Sequence, residues 1–368
     1  MLHKVIVAPD SFKGSLTAAQ AADIIAEEIV AAYPSCEVVK IPLADGGEGS
    51  VETIISVLGG DIVQTSVLSP HEREIAAHYG ITPEGTAILE VAQSSGITRQ
   101  SKLNPMISNT YGFGQLILHA LDQGLRDFLL CIGGSASTDG GCGMAAALGV
   151  RFIDENGIDF VPSGESLERI TQIDMTGIDR RIAESTFTVL SDVTNPLFGS
   201  EGAALVFGPQ KGASPQQVLQ LDSGLHHLSE VVIKAIGQDY SQDLGAGAAG
   251  GLGFGCLVFL NARLESGIDS ILDLLNFHEH LVDADLIITG EGKLDEQSFS
   301  GKALSGIMRS AQGVPIVVIC GVCDMEQETL DGYNLVVFEA SENSSIAQSF
   351  ADPEQSLRQA AQKAVVLI

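Results

Sequence analysis

The residues best suited to chemistry fall in four short stretches of one composition: glycines, a hydroxyl side chain and an acid. They are Asp10 to Ser15, Asp45 to Ser50, Gly133 to Gly143 and Thr289 to Ser298. The third is the densest. It follows an apolar run, Phe128 to Ile132, and precedes small apolar residues, Met144 to Leu148. Strand, glycine-rich turn, helix is the arrangement that points backbone N–H groups at an anion. Gly133, Gly134 and Ser135 are the candidate cradle, with hydroxyls from Ser137 and Thr138. Asp139 could face a metal or cap the following helix, and a plain capped turn is the competing reading.

Charge makes the lysines informative. The chain holds 47 acidic residues against 19 Lys and Arg, for a net charge of −28. Any anion site must therefore be made positive locally. Lys13, Lys211, Lys293 and Lys302 each stand beside a glycine, where a cation and an exposed backbone can share a phosphate or carboxylate. Lys13 and Lys293 also have an acid and a hydroxyl close by, which makes them the better pair. Asp192 follows the apolar run Phe187 to Leu190 and suits a general base or a Mg²⁺ ligand, against an Asx-turn before Pro196. Asp45 and Glu48 have the type expected for Mg²⁺, which favours one or two carboxylates plus phosphate oxygens.

Several motifs are set aside. Gly292-Lys293 and Gly301-Lys302 lack the upstream glycine and the following Ser or Thr of a P-loop. The Gly-rich run 245–255 contains G-x-G-x-x-G, but no strand precedes it, so helix packing or a hinge is expected rather than a dinucleotide. Cys320 and Cys323 read as buried thiols at a strand end. The histidines form no metal spacing.

The acidic balance argues against nucleic acid and anionic membrane surfaces, both of which need basic patches. No run approaches the ~18 apolar residues of a membrane span. The N-terminus enters a strand pattern with no signal-peptide layout, so a cytoplasmic location with reduced thiols is expected.

The elements that must position these loops alternate at both chain ends. Residues 4–8 and 37–42 read as strands, each followed by a helical pattern, and Thr17 with Gln20 forms a capping box. From 268 onward the same rhythm returns, with strands at 284–288, 314–320 and 334–338 and a closing helix at 352–366. Between them lie hairpin-like pieces near 63–67, 74–79 and 87–91, a helix near 110–123, strands at 150–154, 187–190 and 203–207, and a long helix at 215–236. The expected fold is α/β with two domains. Residues 1–65 plus 266–368 form a parallel-sheet domain from both chain ends, and 66–265 form an inserted mixed α/β domain.

Seven motifs in order then resemble one family. They are Ala8 to Ser15, Leu43 to Gly49, Gly133 to Ala136, Thr138 to Gly141, Ser191 to Leu197, Gly247 to Gly251 and Thr289 to Asp295. Together they resemble the bacterial glycerate kinase family of the glycerate 2-kinase type. The resemblance implies ATP-dependent phosphorylation of D-glycerate, most simply on the 2-hydroxyl to give 2-phosphoglycerate, with Mg²⁺ and a Rossmann-like domain built from both ends.

On that footing Asp192, Lys293 and Lys13 are the expected catalytic residues. Gly133, Gly134, Ser135, Thr138, Gly290 and Gly292 are expected at the nucleotide phosphates. Asp10, Ser11, Ser15 and Asp295 are expected at the substrate, and Asp45 and Glu48 at the metal. The alternatives are the same kinase giving 3-phosphoglycerate, a non-catalytic two-lobed protein that binds small acids, and a redox protein using Cys320 and Cys323.

Overall fold

The computed structural model describes residues 2–12, 14–44, 46–299, 302–342 and 346–367. The chain divides into two compact units: Met1–Asp45, Glu52–Gly59 and Gly267–Ile368 form the first, Gly46–Val51 and Gly60–Ser266 the second. In chain order the strands are β1 (Lys4–Val7), β2 (Glu37–Lys40), β3 (Asp61–Leu68), β4 (Glu74–Ile81), β5 (Thr86–Glu90), β6 (Asp127–Cys131), β7 (Arg151–Ile153), β8 (Asp159–Phe160), β9 (Gln172–Asp174), β10 (Thr186–Leu190), β11 (Arg263–Glu265), β12 (Leu286–Leu294), β13 (Ile316–Cys323) and β14 (Val336–Glu339).

The first unit is built on a parallel sheet in the order β14-β13-β12-β1-β2. Val5, Ile6 and Val7 are fully buried, as expected of a central parallel strand covered on both faces. The helix Ala18–Ala32 starts at the expected capping box, with Thr17 and Gln20 each bonding the other's backbone N–H. Its buried Ala21, Ala22, Ile25 and Ile29 share one core with Ala360, Ala361 and Ala364 of the closing helix Pro353–Leu367.

One segment here differs from expectation. Thr289 to Leu294 is not a loop after a short strand. β12 continues to Leu294 and pairs with β13 through Glu291 opposite Cys320, Lys293 opposite Val322 and Leu294 opposite Cys323. The glycines misled because glycine is depleted in strands. Here they answer to interstrand approach: a Cβ on Gly290 would lie 2.1 Å from the Ile319 carbonyl oxygen. Cys320 and Cys323 accordingly lie within β13, both as free thiols.

The second unit carries a six-stranded mixed sheet, β11-β10-β6-β5-β4-β3, and a small antiparallel sheet, β8-β7-β9. β5, β6, β10 and β11 are mutually parallel, while β3, β4 and β5 form an antiparallel meander. Phe128 of β6 and Phe187 of β10 are register partners whose rings stack at 4.7 Å within the core of this sheet. β3 pairs with β4 from Asp61 onward, and the longer of the two stretches of the second unit begins at Gly60.

Residues 203–207, expected as a strand, form a helix with Gly202 at its N-terminal cap and Ala203 and Ala204 buried. A five-residue apolar run does not by its pattern distinguish the two. The long helix Pro215–Ile236 forms as expected, with a capping box between Ser214 and Gln217. The glycine run becomes the helix Ala248–Leu260, broken near its start by left-handed Ala249, Gly250 and Gly251. Among the described residues, no helix is long and apolar enough to cross a membrane.

Candidate active site

In both units the sequence-selected residues lie at the carboxyl-terminal parts of parallel strands or in the loops that follow them, where ligands of α/β sheets bind. In the second unit those strands are β5, β6 and β10. β6 leads into the loop 132–141, whose Gly133 and Gly134 are accessible while residues 135–141 are buried. The Gly133 N–H donates to the Gly46 carbonyl at 3.0 Å. A Cβ on Gly133 would lie 2.7 Å from Gly47 Cα, so no other residue fits where the Gly46–Ser50 stretch crosses it. That amide is therefore engaged, and the Gly134 amide lies at the exposed tip of the loop. Ser95 and Gly134 carbonyls accept from Ala136 and Ile97 and tie the loop to the segment after β5.

Asp139 is fully buried. Its Oδ2 accepts from Thr110 N and Oγ1, both at 2.8 Å, and from Gly143 N at 3.1 Å. Through Gly143 it tethers the first turn of the helix Cys142–Ala147, whose N-cap is Gly141. Burial raises its pKa while these donors oppose the rise. Ser137 Oγ, Thr138 Oγ1 and Asp139 Oδ1 are buried with no hydrogen-bond partner among the described residues. Thr138, expected to hold a phosphate, is thus inside the loop with an idle hydroxyl.

Asp192 follows β10, and its Oδ1 accepts from Ser266 Oγ at 3.3 Å. Glu48 accepts from Thr98 Oγ1 at 3.1 Å. Asp45, its expected partner at a metal, lies outside the described residues, as does Lys13. Among the described residues no group of three His, Cys, Asp or Glu side chains could hold a metal ion.

Sequence reasoning missed four residues of this unit. Glu90, fully buried at the end of β5, accepts from Val51 N at 2.6 Å and Gly49 N at 3.3 Å. Gln93 donates to Glu90, and Arg99 to Gln93. Thr110 anchors Asp139. The usable signal was an acid directly after the apolar Ala87 to Leu89, since a charge ending a buried strand needs a reason. Lys211 was noticed but ranked low, and it is buried against this loop.

The first unit holds a cavity of about 420 Å³ at the carboxyl-terminal parts of β12 and β13 and past the end of β1. It gathers Asp10, Ser11, Ser15, Gly292, Lys293 and Asp295, all chosen from sequence, and adds Lys302 and Glu291. Phe12, Leu16, Val322, Phe350 and Leu357 supply an apolar wall. Gly290 is buried beneath β13's edge of this site rather than on its surface. Ser11 N donates to Asp10 Oδ1 at 2.6 Å, and Ser15 Oγ donates to the Phe12 carbonyl at 2.8 Å.

The cations at this cavity are half-exposed and internally balanced. Lys293 Nζ is 2.9 Å from Asp324 and 3.5 Å from Asp295, and Lys302 Nζ is 4.0 Å from Asp295. The Asp324 carboxylate raises the Lys293 pKa, so this ammonium stays charged through neutral pH. A 420 Å³ cavity with an apolar wall and a few convergent charges has the dimensions and lining of a small-molecule site.

Known proteins resemble this chain over most of its length. The family model for the glycerate kinase family matches residues 5–368. A glycerate kinase of Halalkalibacterium halodurans is 42% identical over 325 residues, covering 87% of this chain and 86% of that protein. The glycerate 2-kinase of Escherichia coli strain K12 is 41% identical over 323 residues, 86% of this chain and 85% of its own. The crystal structure of a Salmonella typhimurium LT2 protein, provisionally named glycerate kinase 2, superposes with a TM-score of 0.86 at 35% identity, over 100% of this chain and 98% of that one. With a match over nearly its whole length and relatives this similar, the chain belongs to the glycerate kinase family.

Proposed function

We propose that this enzyme transfers the γ-phosphoryl group of ATP to the 2-hydroxyl of D-glycerate, giving 2-phosphoglycerate and ADP. The observation that carries the reading is family membership across residues 5–368, joined to a relative named glycerate 2-kinase. The site chemistry is compatible. Phosphoryl transfer needs positioning and charge neutralisation more than covalent help. ATP, when bound, supplies the phosphoryl group and much of the charge to be neutralised.

Each unit by itself offers a feature suited to an anion: an accessible glycine tip in the second, and two lysines around an apolar-walled cavity in the first. The amides of Gly134 and Ser135 meet phosphate oxygens, with Gly133 providing the close approach beneath them. Lys293 and Lys302 neutralise an anionic group, the carboxylate of glycerate or a phosphate, in a pocket whose polar wall is Asp10, Ser11, Ser15 and Asp295. Lys13 adds a third cation in the same role. Asp192 accepts the proton of the attacking hydroxyl. For Mg²⁺ the sequence offers the carboxylates of Glu48 and Asp45 as candidate ligands, and an ion of this kind would take its remaining oxygens from phosphate and water. The enzyme acts in the cytoplasm.

The test is ADP release coupled to D-glycerate with and without Mg²⁺, followed by phosphorus NMR of the product. A spectrum of 3-phosphoglycerate would refute the 2-position. No ADP above background would favour a small-acid-binding protein.

A further inference from the structure

The second unit contains a lysine that the proposed chemistry does not use. Lys211 ends the short turn Pro209–Lys211 and is 3% exposed. Its ammonium donates to Ser135 Oγ at 2.9 Å and to the Ser137 carbonyl at 2.6 Å. The helix Ala248–Leu260 closes over this contact. A Cβ on Gly250 would lie 2.1 Å from the Ser137 carbonyl oxygen and 2.9 Å from Lys211 Nζ, and Gly250 has a φ of +72°. The break in that helix and the missing side chain thus leave room for one buried ammonium.

We propose that Lys211 is a positioning residue for phosphoryl transfer: its ammonium braces Ser135 and Ser137 from beneath, holding the glycine-rich loop in its phosphate-binding shape. The proposal rests on the reading of that loop as a phosphate cradle. The loop is pinned from two directions, by Lys211 through Ser135 and Ser137 and by Thr110 and Gly143 through Asp139. Stability alone gives no reason for the lysine. A buried charge replaced by a well-packed apolar side chain is often neutral or stabilising. What an apolar residue cannot do is fix a hydroxyl and a carbonyl in register and add positive potential beneath an anion site.

Burial lowers the Lys211 pKa to about 7, opposed by the charge of Asp139. The other groups in contact with Nζ, the Ser135 hydroxyl, the Ser137 carbonyl and Gly250, do not titrate. The nearby Cys142 thiol is held neutral by its own burial beside Asp139. Since the folded-state value lies below the ordinary lysine value, the folded protein binds fewer protons than the unfolded chain between about 7 and 10.5. Stability therefore gains as pH rises through that window, while the cationic brace is being lost.

The experiment compares wild type with K211M and K211R, measuring kcat, KM for ATP, KM for D-glycerate and thermal unfolding from about pH 6 to about pH 9. Removing a group that orients a binding group typically costs about 10- to 100-fold. That loss is expected in kcat/KM for ATP of K211M, with cooperative unfolding retained. Wild type should show an alkaline limb in the same parameter, absent from K211R, which stays charged and should recover part of the K211M loss. The proposal is overturned if K211M unfolds cooperatively and stays within about threefold of wild type. It is also overturned if the limb persists unchanged in K211R.

Should K211M fail to fold, the wild-type and K211R profiles decide alone. Should wild type release no ADP with D-glycerate, the proposed activity fails separately. ADP binding to wild type and K211M by calorimetry then tests the brace, and equal affinities overturn it.

Discussion

On the proposed reading, the two units hold anions in an acidic protein by different means. The cavity of the first unit has exposed charge: the Lys293 side chain is 53% exposed and that of Lys302 31%, and both are shared with Asp295. The loop of the second unit uses fixed charge: Lys211 is 3% exposed and bonded to a hydroxyl and a carbonyl. Exposed ammonium groups contribute little until a ligand desolvates them, and salt screens them. A buried ammonium costs desolvation at folding and then keeps its geometry for every turnover. The comparison teaches that recruitment and preorganisation can be divided between parts of one chain.

That contrast can be broken at several points. The largest effect is expected at Asp192. If it is the general base, D192N should lower kcat by about 10²- to 10⁴-fold with folding intact. A folded D192N enzyme that keeps more than about a tenth of wild-type turnover removes Asp192 from that role.

Next comes G250A, which strikes the fixed region. Left-handed strain alone costs about 1–2 kcal/mol, and the clash with the Ser137 carbonyl adds to it. Thermal unfolding should drop by roughly 5 °C or more together with activity. Unchanged melting and kcat would mean that the helix does not shape the loop.

A smaller effect is expected at the recruiting region. K293M should weaken one substrate by about tenfold through KM, and added salt should shrink the difference between variant and wild type. Which KM moves, that for ATP or that for glycerate, identifies the anion Lys293 meets. A loss confined to kcat would instead make Lys293 part of the fixed machinery and erase the distinction drawn here.

The smallest change should follow T98V, which removes the 3.1 Å bond to Glu48. A single neutral-to-charged hydrogen bond at an exposed position should appear as no more than about a threefold rise in the Mg²⁺ needed for half-maximal rate. A Mg²⁺ curve that stays in place would detach Glu48 from the metal.

Much of the arrangement was legible before any coordinates. The βα rhythm at the ends, the capping box at Thr17, the hairpin-like pieces near 63–67, 74–79 and 87–91 and the long helix at 215–236 all follow from periodicity and cap chemistry. Errors occurred where a local rule had two solutions. Ala203 to Phe207 was too short to separate helix from strand, and Thr289 to Leu294 was too glycine-rich to look like the strand it is.

By itself the sequence determined the order of elements, the loops that end the strands and the scarcity of positive charge, because these are properties of neighbours along the chain. Only the tertiary structure decided which cation is buried and which is exposed. Lys211 meets Ser135 across 76 positions and Asp139 meets Thr110 across 29. Such pairings are set by how a broken helix and a glycine loop pack together, and desolvation, which gives each charge its strength, exists only once they have packed.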